Sequence, residues 1–265
     1  LVSNPGNRTP SLVNTNMLNL NLEPVRDYEK TFARKLSPNE YVFNPQLGTL
    51  SLQSMLMPDE VLGVAYEYSM NGKVYKVGEF SQEVALDTSA KQAGVQKMLF
   101  LKLLKATAAR VQLPIWDLMM KNVYALDMVG INKDDFKCNV LFDQPSGGMN
   151  RYLPESNTAS NGRPIISLIG LDRLNNRNDP QPDGLFDYVE GFTIFSQYGR
   201  IMFPKLEPFG KDLKDIAFVG VHDSVSRKYV YTELYDSIKA IAQTYANHDR
   251  YVMQGQMKGT GGSEI

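Results

Sequence analysis

The chain has 265 residues, of which 43% are hydrophobic and 22% charged, an ordinary globular composition long enough for one large or two modest domains. Its 28 basic and 29 acidic side chains leave a formal net charge of −1, so it lacks the positive field that phosphate-backbone binding needs, and nucleic acid is excluded as a partner. One cysteine, Cys138, and two histidines, His222 and His248, exclude an internal disulfide and a Cys/His zinc site.

The first 22 residues hold six asparagines and two prolines and read as an Asn-rich arm or linker (1–22), with the core beginning near Val25. Two β-rich subdomains are expected after it, 23–113 and 114–265, the second with two helices. YVFNPQLGTLSL (41–52) places two short apolar runs around a turn at Asn44-Pro45 and Gly48. In VLGVAYEYSMNGKVYKVGEFS (61–81), Asn71-Gly72 predicts a type I′ hairpin turn. A two-residue loop pairs Tyr68 with Tyr75, Tyr66 with Val77 and Glu67 with Lys76. Alternation puts Leu62, Val64, Tyr66 and Tyr68 on one buried face. The nearly continuous apolar run KMLFLKLLK (97–105) reads as a strand.

Pro114, Trp116, Met119, Met120, Val123 and Leu126 recur at helical spacing and predict an amphipathic helix as far as Gly130. DQPSGGMNRYLPESNTASNGRP (143–164) predicts a long mobile surface loop. ISLIGLDRL, FTIF with GRIMF (192–203), and FVGV (218–221) are short strand candidates. TIFSQYGRIMF (193–203) echoes VFNPQLGTLSL (42–52), one hairpin type used twice. Val230, Leu234, Ile238, Ile241 and Tyr245 predict a second helix over 230–246, and 251–258 alternates as a strand. The sum is a mainly β fold with a few α-helices, arranged as β-sandwich-like subdomains with hairpin-rich sheets.

In NDPQPDGLFDYVEG (178–191), counted from Asp179, oxygen-bearing side chains fall at positions 1, 3, 5, 9 and 12, with Gly184 at 6. That is calcium-loop spacing, and it makes Asp179, Asp183, Asp187 and Glu190 candidate metal ligands. Pro180 and Pro182 remove backbone donors and no good helix flanks the loop, so an acidic turn whose side chains cap the backbone is the alternative. His222-Asp223-Ser224 has the residue types of a hydrolase triad, but neighbours in sequence are not expected to converge, and no nucleophile elbow accompanies them. His248 reads as a helix-end cap and Cys138 as a packing residue. No catalytic constellation is recognised, and a non-enzymatic role is expected.

The strings ARKLSPNEYVFNPQLGTLSL (33–52), VLGVAYEYSMNGKVYKVGEFS, LKLLK, WDLMMKNVY (116–124), NDPQPDGLFDYVEG, GRIMFPKLEPFG (199–210) and YVYTELYDS (229–237) closely resemble the SprA/Sov family, in that family's order, from about Leu22 to Ile265. The resemblance implies a segment of a very large outer-membrane protein of Bacteroidetes, the translocon of the type IX secretion system, which also supports gliding motility. It implies a location in the cell envelope, held at the outer membrane through the rest of the parent chain. Other secretion subunits and secreted cargo are the implied partners. The strands here are too short and interrupted for the parent β-barrel, so a folded soluble insertion is expected, scaffolding the pore through contact loops 143–164 and 205–215. The rival expectation is a calcium-dependent carbohydrate-binding or adhesive β-sandwich.

Overall fold

The computed structural model describes residues 8–82, 97–145 and 147–257, and the chain divides into two compact units, Leu1–Met119 and Met120–Ile265. As the composition and patterning predict, the fold is mainly β with a few short helices, and its sheets are antiparallel with two or three strands each.

The first unit opens on α1 (Pro10–Asn19). Pro10 pre-sets the helical φ in the first turn, and Val13 and Met17, four residues apart, are both buried. The Asn-rich stretch is therefore helical where an arm was expected, because two apolar positions on one face suffice to seat it; residues 1–7 lie outside the described residues. β1 (Tyr41–Asn44) pairs with β2 (Thr49–Leu52), Phe43 opposite Leu50. β3 (Leu62–Val64), β4 (Tyr66–Met70), β5 (Lys73–Val77) and β6 (Lys102–Lys105) follow. β4 and β5 form the hairpin in the predicted register, Tyr68 opposite Tyr75, Tyr66 opposite Val77 and Glu67 opposite Lys76. Its tyrosine face is not buried, however. Tyr66, Tyr68, Met70 and Tyr75 are between 37% and 52% exposed, the Tyr68 ring stacking on those of Tyr66 and Tyr75. The alternation breaks at Ala65, where β3 leaves the hairpin to pair with β6.

Arg8 organises this unit. Its guanidinium donates to both carboxylate oxygens of Glu79 at 2.6 and 2.7 Å and lies over the Phe100 ring, while Glu79 also accepts from the Phe100 N–H. The Arg8 hydrogen bond holds the Glu79 pKa below the ordinary glutamate value. A depressed folded-state pKa contributes stability above the unfolded value that is lost as pH falls through the folded one. We therefore expect the first unit to lose stability over that acid window, and Glu79→Gln to flatten this dependence in denaturant titrations from pH 6 downward.

The second unit contains β7 (Val123–Ala125), β8 (Lys137–Gln144), β9 (Gly148–Asn150), α2 (Ile165–Leu168), β10 (Ile194–Phe195), β11 (Arg200–Met202), α3 (Lys211–Ala217), α4 (Asp223–Ser226), α5 (Glu233–Asp236), α6 (Lys239–Ala242) and β12 (Tyr251–Gln256). Its sheets run β12-β8-β9 and β10-β11-β7. The β10–β11 hairpin repeats the β1–β2 design, each with four connecting residues that end on a left-handed glycine, Gly199 and Gly48.

Several predicted elements differ. The helix expected over 114–130 is one 3-10 turn, Pro114–Leu118, after which Val123–Ala125 pairs with β11. The ladder to a distant strand outweighs a weak helical period. The helix expected over 230–246 splits into α5 and α6, because Ser237 and Ile238 are extended. The Ser237 hydroxyl donates to the Glu233 carbonyl, a local bond that competes with helix continuation. ISLIGLDRL contributes α2, and 218–221 is a turn.

The 143–164 segment is packed instead of forming a free loop. Leu153 and Ser160 are buried, Asn157 Nδ2 and Ser160 Oγ donate to the Ile216 carbonyl, and Asn157 N–H to that of Ala217. These polar residues satisfy the open carbonyls at the end of α3. Residues 205–215 likewise lead into α3, with Phe209 buried and Leu206 exposed.

The core is a run of touching rings: Tyr124, Phe203, Phe209, Tyr251, Phe142, Tyr229 and Phe218, with successive centroids 4.5 to 5.5 Å apart. Buried hydroxyls find acceptors, Tyr251 on the Tyr229 carbonyl and Tyr229 on Glu155, as a buried phenol requires. Of the 27 buried apolar residues among those described, 25 belong to this unit and two, Val13 and Met17, to the first, so the hydrophobic core lies in the second unit.

Candidate functional site

A cleft of about 450 Å³ opens on the second unit, lined by Arg151, Tyr152, Arg163, Ser167, Asp172, Asp183 and Leu185 among others. Its base is built by α2. An antiparallel bridge between Tyr152 and Pro164 and the bond from Ile165 N–H to the Arg151 carbonyl bring both sides together. Gly170, at φ +85°, ends the helix. Its N–H reaches the Ser167 carbonyl and Leu171 N–H reaches that of Ile166, a Schellman closure that needs a left-handed residue. The chain then turns back to deliver Asp172, only 1% exposed, to the cleft floor.

The Asp172 carboxylate accepts three hydrogen bonds, from the Ser167 hydroxyl, Asp183 N–H (2.9 Å) and Gly184 N–H (3.0 Å). A buried carboxylate requires such donors, and these pin the 182–185 turn to α2. Sequence reading missed Asp172. The available signal was an acidic residue directly after the apolar run Ile165–Leu171, where burial forces a polar group to be partnered.

The four carboxylates suggested by calcium spacing are not brought together on an ion. Asp179 accepts from Asn175 Nδ2, Asp183 from Leu185 N–H, Asp187 from the N–H groups of Arg173 and Leu174, and Glu190 from Ser196 N–H and the Tyr188 hydroxyl. Among the described residues no group of three or more His, Cys, Asp or Glu is arranged to hold a metal. The geometry favours the alternative of an acidic turn, in which Asp183 caps the Leu185 N–H of its own loop while Asp187 and Glu190 accept from the N–H groups of Arg173, Leu174 and Ser196 beside it. Burial raises the Asp187 pKa, against its two backbone donors, with the Asp172 and Asp183 charges adding to the rise. The melting temperature of the chain is expected to be the same, within about 1 °C, in calcium and in chelator; a calcium-dependent rise in a thermal scan would contradict the assignment.

His222 Nδ1 and Ser224 Oγ do meet, at 2.8 Å, contrary to the expectation for near neighbours. The extended His222 backbone lets its ring fold over the first turn of α4, where Nδ1 accepts the Ser224 N–H. Asp223 pairs instead with Lys214 at 2.9 Å, so the contact is a helix cap without the third member of a triad. His248 faces the Glu233 carboxylate at 3.0 Å instead of helix-end carbonyls. Cys138 is buried in β8, and burial pushes its thiol up to about 12, the opposite of an activated nucleophile.

Comparison with known proteins finds no family model that matches the chain and no matching curated protein.

Proposed function

We infer that the chain is a non-catalytic segment of a SprA/Sov-like outer-membrane translocon, contributing to type IX secretion and gliding motility as a scaffold beside the pore. The sequence resemblance from about Leu22 onward supplies the family. The observation that carries a scaffolding role is the composition of the first unit's surface. Beside two buried apolar residues it exposes 17 large ones among the described residues, including Phe32, Phe43, Met55 and the tyrosine face of the β4–β5 hairpin. A surface this apolar is what a covered, assembled unit presents. A two-stranded hairpin with both faces open is also marginal in water without a partner. Among the described residues the longest strand has eight residues and the others two to six, short of the roughly 9 to 11 that cross a bilayer, which favours an element standing beside the barrel wall.

The test places a photocrosslinking residue at Tyr68 of the parent protein in a type IX-secreting bacterium. Ultraviolet light is expected to join it to the parent barrel, a secretion subunit or exported cargo. Replacing 62–77 by a short Gly-Ser loop is expected to abolish cargo export. Normal export and gliding after that replacement, with no adduct at Tyr68, would overturn the assignment.

A further inference from the structure

The Asp172 cleft carries two arginines beside its two carboxylates, Asp172 and Asp183. Arg151 and Arg163 are both exposed and both line it, and among the described residues neither forms an ion pair. Arg151 is held in place through one nitrogen, Nη2, which donates to the Gly184 carbonyl at 3.1 Å, leaving its remaining N–H groups available. Bridging of Tyr152 to Pro164 fixes the spacing of the segments that carry the two arginines. Beside them Tyr152 and Leu185 stay 45% and 59% exposed, apolar surface in the same cleft.

We propose that this cleft binds an extended peptide through a carboxylate, with Arg151 and Arg163 gripping the acid and Tyr152 and Leu185 receiving the neighbouring apolar side chain. Guanidinium forks match carboxylates bidentately, and the volume suits a few residues. The acidic wall decides between anions. The Asp172 carboxylate is solvated, not neutralised, by its three internal donors, and together with the exposed Asp183 carboxylate it makes one side of the cleft acidic. That wall opposes a phosphate dianion more than a singly charged carboxylate. The proposal stands independently of the translocon assignment, since it concerns only the second unit's own surface.

The test is fluorescence anisotropy on the 265-residue chain with a labelled, terminally blocked pentapeptide of leucines around one central glutamate, its glutamine counterpart blocked in the same way, and inorganic phosphate as competitor. The acidic peptide is expected to bind, more weakly as salt rises. The glutamine peptide is expected to bind at least about tenfold less tightly. Arg151→Gln and Arg163→Gln each weaken binding by about tenfold or more, Arg163→Lys by less, and Arg177→Gln, outside the cleft, leaves it unchanged. Because both cleft arginines are exposed, these variants should melt with the wild type, and Arg163→Lys provides a fold-preserving check. Undetectable binding of the acidic peptide, equal binding of the two peptides, wild-type affinity in both glutamine variants, or equimolar displacement by phosphate would each overturn the proposal.

Discussion

Gly199→Ala is expected to unfold the second unit or to remove more than about 4 kcal/mol of its stability, the sum of a left-handed penalty and a forced backbone separation. Gly199 sits at φ +58° at the end of the β10–β11 turn. A Cβ built there falls 1.7 Å from the Met128 carbonyl oxygen and 2.9 Å from its carbon. Both obstacles are backbone, so no side-chain rotation relieves them. The segment that must retreat is bonded to the same turn: Leu126 N–H donates to the Gly199 carbonyl, and Gly130 and Ile131 N–H to that of Ser196. Retreat breaks these bonds and pulls β7, which leads into Leu126, away from β11. Gly220 provides the control, at φ +76° with nothing within 4 Å of its would-be Cβ, so Gly220→Ala should cost only about 1 kcal/mol. Urea titrations of both variants separate conformational penalty from collision. Similar midpoints would mean that the 126–131 segment is not held against this turn.

The same pair of hairpins shows what could be read from the sequence. Turn chemistry and alternation are local, so Asn71-Gly72 fixed the β4–β5 register and Gly48 and Gly199 marked the repeated turn. What covers a hairpin is not local, and the tyrosine face assigned to a core is exposed. Apolar residues at three- and four-residue spacing misled twice for one reason. In 114–130 the bonds of Val123–Ala125 go to a strand some 80 residues away, and in 230–246 a serine hydroxyl takes the carbonyl that a continuous helix would use. At the candidate site the oxygen-rich character of 178–191 was legible, because the spacing of carboxylates is a sequence property. Their destination was not. Side chains within reach of free N–H groups cap them, and the organising carboxylate, Asp172, lies outside the motif, directly after an apolar run.

Asp172→Ala is expected to destabilise the second unit by about 3 to 5 kcal/mol, as when one member of a buried charged network is removed. The loss exceeds that of a typical hydrogen bond because three donors are stranded together: the Ser167 hydroxyl and the N–H groups of Asp183 and Gly184. Water can reach the turn once it lifts, so the expected structural consequence is opening at 182–185, visible as faster amide exchange of Asp183 and Gly184 than of α2. Asp172→Asn separates charge and acceptor count from shape. The amide keeps one acceptor oxygen but directs its own NH₂ toward a backbone donor, whichever way it is flipped, and about 2 to 3 kcal/mol should still be lost. Ser167→Ala removes a donor and strands nothing on the backbone, so it should cost about 1 to 2 kcal/mol and leave the turn closed. The order Ala, then Asn, then the Ser167 variant is the signature of a carboxylate that clamps a turn through paired backbone N–H groups. A wild-type midpoint for Asp172→Asn would show that only one of those N–H groups depends on it, so that a single acceptor oxygen suffices to close the turn.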